Sequence, residues 1–204
     1  AAIETPAPDA KAPAETWQNW IHNRNAAKKQ LLGAGDLSVQ PLVARVREHL
    51  GLDRDGRDVL QGKSDVLHSY YSILASLNPT AAGPLFLEIA ALRDDHPCQE
   101  ERAWALWSLG TLTFQDYLDD STEPTVDQIH AASAAAQSWW KTNGAKTWEQ
   151  WREDAVARAH AHLDGTQPDQ ALAGITFLIG QNDTSESVLA ALRALIGGTG
   201  RTWE

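Results

Sequence analysis

The sequence predicts an all-α protein, on three observations. Apolar residues recur every three or four positions from Trp17 to Ile196, the period that puts them on one helical face. Alternating β-branched runs, the mark of half-buried strands, are missing. Gly, Pro, Asn and Asp clusters punctuate the chain at intervals of roughly 12 to 20 residues, the length of ordinary globular helices.

The elements follow in order. Ala1 to Thr16 holds three of the nine Pro and little bulky apolar surface, so it reads as an extended or disordered linker, 1–16. A polar helix through Trp17, Trp20, Ile21 and Leu31 should end at Gly33 or Gly35. Asp36 or Ser38 can cap the next, whose stripe is Leu42, Val43, Val46 and Leu50 and whose stop is Gly51. After a turn-rich loop, Asp53 to Ser64, come Leu67, Tyr70, Tyr71, Leu74 and Leu77, closed by Asn78-Pro79. Leu85, Phe86, Ile89 and Leu92 form the next stripe, and Arg93 to Pro97 a turn.

A long helix is expected from Glu100 to Leu118, carrying Trp104, Trp107, Leu109 and Phe114. Asp119 to Glu123 breaks it, and Pro124 fits the first turn of a successor lined by Val126, Ile129, Ala132, Ala136 and Trp140. Asn143-Gly144 ends that helix. Trp148 to Leu163, Leu172 to Leu178 and Val188 to Ile196 complete a string of about nine helices in one domain, 17–204.

Composition excludes several classes. The chain of 204 residues has 43% hydrophobic and 22% charged side chains, enough to bury a core and too apolar for wholesale disorder. One Cys cannot make an intramolecular disulfide framework, and no apolar run approaches the roughly 18 residues of a membrane span. A net charge of −10 speaks against a general nucleic-acid binder. The absence of Met together with the Ala/Pro leader predicts a processed, exported protein of the bacterial envelope, periplasmic or lipid-anchored through a residue preceding Ala1. A linker within a cytoplasmic protein is the alternative.

One stretch carries a family resemblance. Pro84-Leu85 opens a helix that reaches Leu92, Asp94 stands in an acidic turn, and Arg102 opens a helix through Ala105 to Leu109-Gly110. This resembles a HEAT repeat. Glu101 stands where that pattern prefers an apolar residue, and Leu106 and Ser108 where it prefers Ala. Ala171 to Gly180, followed by Ser187 to Ile196, is a weaker echo. Trp139-Trp140-Lys141-Thr142-Asn143, with Trp148 and Trp151 beyond, resembles a segment of bacterial HEAT-type proteins. The resemblance implies a right-handed α-solenoid of antiparallel hairpins, in which turn acids and the Arg can pair between repeats. An irregular helical bundle is the alternative.

Chemical motifs are sparse. W-x-x-W occurs at Trp17/Trp20, Trp104/Trp107 and Trp148/Trp151. Spacing of three places each pair on one helical face, and packing between helices accounts for the last two pairs. Trp139 and Trp140 lie about 100° apart around a helix, so one of them is the best candidate for an exposed aromatic. His160-x-His162 diverges and makes no metal pair, and Asp53 to Asp58 departs from a calcium loop, with Gly56 at the wrong position. Cys98 lacks an assigned base. No metal or cofactor is expected.

In a solenoid, Asp94, Asp95, Asp119, Asp120 and Glu123 would share a turn edge and form an acidic rim for a basic protein. A non-catalytic protein-binding module is therefore the first functional reading. A periplasmic immunity or inhibitor protein directed at a toxin or hydrolase, and an enzyme with an acid/His cleft, are its rivals.

Overall fold

Helical periodicity becomes nine α-helices and no strand among the described residues of the computed structural model. Those residues are 3–5, 7–52, 64–118, 123–163, 168–183 and 185–196. Asp119, Asp120 and the loop 53–58 lie outside them. The chain divides into two compact units, Ala1–Ala145 and Lys146–Glu204. No helix is long and apolar enough to cross a membrane among the described residues.

The first unit holds α1 (Ala14–Gly33), α2 (Val39–Leu50), α3 (Ser64–Leu77), α4 (Pro79–Ala90), α5 (Glu101–Thr113) and α6 (Val126–Asn143). From α2 onward each helix meets its successor and the next but one, while α1 packs on α3. Their shared core includes Val46, Leu50, Tyr71, Ile73, Leu74, Phe86, Ile89, Leu106 and Leu109. Tyr71 meets Phe86 edge to face, 5.5 Å between centroids, a favoured aromatic geometry.

Helix ends show where local chemistry acts. Gly51 closes α2 at φ 62°, a left-handed conformation that costs glycine little. Asn78 caps α4 by accepting from the Ala81 amide. Helix α5 stops at Thr113 instead of continuing to Leu118. Phe114 turns left-handed at φ 57°, and the Gln115 amide folds back to donate to the Gly110 carbonyl. A Cβ on Gly110 would lie 2.6 Å from the Gln115 carbonyl oxygen, so this termination requires glycine there. Pro124 stands before the α6 cap, not in its first turn. Thr125 and Gln128 form a reciprocal capping box instead. Thr147 and Gln150 make the same pair of contacts at the start of α7.

Residues 3–5 of the stretch expected as a linker contact the helices. Helix α1 begins at Ala14. Ile3 is only 3% exposed, and Glu4 forms an ion pair with Arg45 of α2.

The second unit comprises α7 (Trp148–Leu163), α8 (Pro168–Gly180) and α9 (Glu186–Ile196). Small residues bring α7 and α8 together: a Cβ on Gly174 would stand 2.8 Å from the Ala159 carbonyl oxygen. Ala159, Leu178 and Val188 form the core, flanked by Val156, Leu163 and Phe177. His160 bonds Asp183 at 2.8 Å, and the Arg152 Nε donates to the Gln181 amide oxygen.

Candidate functional site

The residue that breaks the repeat pattern is the centre of the most unusual site. Glu101, in the first turn of α5, is 1% exposed. Its Oε2 accepts a 3.1 Å hydrogen bond from the Tyr71 hydroxyl and lies 3.5 Å from His68 Nε2, both on α3. Its Oε1 is buried without a hydrogen-bond partner. Burial, and then the Glu101 charge, pushes the Tyr71 hydroxyl far above its ordinary range, so it acts as a donor.

Above this buried carboxylate lies an aromatic platform. The His68 ring stacks on Trp104 at 3.9 Å and 33°, and Trp107 meets Trp104 edge-on at 5.2 Å. Trp104 is 44% exposed, although nine neighbours on the same helix are buried. The expectation that this Trp pair simply fills the interior fails at Trp104. Spacing of three fixes the two rings relative to each other, whereas the phase of the helix against α3 and α4 decides which ring faces water. Trp107 is half-buried, with its indole nitrogen unbonded in the interior.

The second cluster gathers around Asp94 in the α4–α5 turn. Asp94 Oδ1 accepts from the Arg102 guanidinium and lies 3.0 Å from His130 Nε2 of α6. Arg102, and secondly His130, hold this carboxyl below its ordinary range. Asp94 therefore ties turn to helix within one hairpin and also reaches α6. Asp95 is highly exposed and pairs with Arg93 at 3.2 Å. Glu123 is exposed ahead of α6. Asp94 and Asp95 thus spend their charge on neighbouring cations of this chain, and two further members of the expected rim, Asp119 and Asp120, lie outside the described residues.

Trp139 and Trp140 are both half-buried, with centroids 6.3 Å apart. Trp140 is a wedge: a Cβ on Gly83 of α4 would fall 2.0 Å from its ring, so the indole lies directly against helix backbone. The Trp139 carbonyl accepts from the Asn143 side chain.

The surroundings of Cys98 disfavour a nucleophilic thiol. Burial, with Glu100 and Glu101, pushes the Cys98 thiol up to about 11, against thiolate formation. His96 Nδ1 accepts from the Cys98 amide, and burial lowers its affinity for protons. No group of three or more metal-binding side chains occurs among the described residues. The chain matches no known family, curated protein or solved structure.

The platform's signals in the sequence were the Glu at an apolar position and W-x-x-W at the same helix start. His68 and Tyr71 gave no local signal, because their roles depend on α3 meeting α5.

Proposed function

We propose that this chain is a non-catalytic protein-binding module, with the Trp104–His68–Trp107 platform as its contact surface. The observation that carries the reading is an exposed Trp braced by two aromatic rings over a fixed, buried carboxylate. Rigid aromatic side chains give much contact area with little entropy left to lose, which is why they dominate binding hot spots. Contacts of α2, α3 and α4 with their next two successors support a HEAT-like α-solenoid as the scaffold. The net charge of −10 favours a basic partner, and the expected envelope location belongs to the same proposal.

The test places a photo-crosslinking benzoylphenylalanine at position 104 and, as a control, at Leu37, which is 85% exposed. In an extract of the source cells, a discrete adduct from position 104 alone is expected. Equal labelling from both positions, or from neither, would overturn the reading.

A further inference from the structure

We propose that α1, α2 and α3 form a peptide-binding site that this chain keeps filled with its own residues 3–5, and whose ligand in trans is a partner segment bearing a bulky aliphatic residue followed by Glu. The site is separate from the Trp104 platform: it uses Tyr70, a different face of α3 from His68 and Tyr71.

The recognition chemistry is visible because the segment is in place. Ile3 is buried, as an anchoring side chain in a pocket should be. Glu4 Oε1 accepts from Arg45 Nε at 2.5 Å and from the Tyr70 hydroxyl at 2.8 Å, and lies 3.8 Å from His49 Nε2. Tyr70 and His49 are themselves buried, so the carboxylate is read by a formed site and not by loose surface cations. The Arg45 hydrogen bond is the chief cause holding the Glu4 carboxyl at about 2. The Trp20 indole N–H donates to the Thr5 carbonyl at 3.0 Å, a main-chain contact indifferent to side-chain identity.

These contacts together select three features of a ligand: an apolar side chain, the carboxylate after it, and a main-chain carbonyl next in line, held in a turn. The site also continues past the segment. A groove of about 620 Å³ runs beside Thr5 and Pro8 along the α1 face of Trp20, Asn23, Ala27 and Gln30. A ligand longer than three residues therefore has room to lie along α1.

The segment is tied to α1 by only eight residues, 6–13. A short tether gives the bound end an effective concentration in roughly the millimolar range, so a free peptide competes poorly while residues 3–5 are intact. Occupancy from within the chain consequently gates access from outside.

The test uses the full chain with Ile3→Ala and Glu4→Ala, titrated with a fluorescently labelled octapeptide Ala-Ala-Ile-Glu-Thr-Pro-Ala-Pro and read by anisotropy. The peptide should bind the double variant at least about tenfold more tightly than the unaltered chain, and its Glu→Gln form should bind about tenfold more weakly, as expected for a lost charged hydrogen bond. Should the double variant lack a helical circular-dichroism spectrum, Glu4→Gln alone serves in the same comparison, with a smaller gain expected. Absence of peptide binding to a folded variant, equal binding to variant and unaltered chain, or indifference to Glu→Gln would each overturn the proposal. So would a dimer of the unaltered chain exchanging residues 3–5, seen by light scattering, since a second copy would then be the occupant.

Discussion

Helices α1 and α5 carry the same W-x-x-W spacing and nearly the same local geometry, yet opposite surroundings. Trp17 and Trp20 meet at 5.9 Å and 78°, Trp104 and Trp107 at 5.2 Å and 80°. Helix α1 has no buried residue among the twenty it spans, whereas α5 buries nine of thirteen, including the consecutive charges Glu101 and Arg102. Helix α1 is held to α3 by polar contacts, Arg24 to Ser69 and Lys28 to Ser72, and Arg24 lies over the Trp20 ring. The difference teaches that residue spacing sets how two rings meet, and tertiary contacts set what the pair does. On α5 the pair becomes a platform above a buried acid. On α1 one member of the pair, Trp20, bonds the Thr5 carbonyl.

Substitutions can break the comparison, and the third W-x-x-W, on α7, sets the upper limit. Trp151 is 1% exposed, so Trp151→Ala should cost about 3–5 kcal/mol in urea unfolding, far more than at any half-buried Trp. The two glycines at helix ends should behave in opposite ways. Gly110→Ala must displace the Gln115 backbone and should lower stability by roughly 1–3 kcal/mol. Gly33→Ala meets nothing within 4 Å at the end of α1, and should be neutral or stabilise by roughly 0.4–1 kcal/mol in the same measurement.

Acid should separate the helices next. The Glu4 carboxyl is depressed from its ordinary 4.5 to about 2 in the folded chain. Its stabilising contribution is complete above the unfolded value and disappears as the pH falls through the folded one. An acid titration from pH 5 to 2 should therefore release residues 3–5, while Glu4→Gln removes that part of the response. The readout is the part of the Trp fluorescence change that Trp20→Phe removes, since the Trp20 indole bonds the Thr5 carbonyl. The smallest loss among the tryptophans is expected at Trp104→Ala, less than about 1 kcal/mol at this exposed site, while affinity for the partner captured through the platform should fall.

Much of the helical order was legible in the sequence, because periodic apolar residues and Gly stops act locally. Gly33 and Gly51 end α1 and α2 where their spacing predicts. The end of α5 was not legible, since Phe114 has no intrinsic preference for positive φ and is held there by the backbone folding over Gly110. The T-x-x-Q motifs are local in the sequence, and they, not Pro124, set where α6 and α7 begin. Glu101 was visible as an anomaly without a partner, because Tyr71 and His68 lie some thirty positions away in sequence. The buried Ile3 was hidden by its setting: a single aliphatic residue among Pro and Ala gives no period, and only the folded chain shows that it is covered.

The contact between Gly83 and Trp140 has a consequence for how this chain can vary. Helix α6 takes its register against α4 from the space of one missing methyl group, and the ring fills that space completely. The two positions therefore act as a single quantity of volume shared across two helices. An Ala at 83 demands a smaller ring at 140, and a lone change at either site leaves an overlap or a void. The double substitution Gly83→Ala with Trp140→Phe should therefore cost less stability than the two single changes summed.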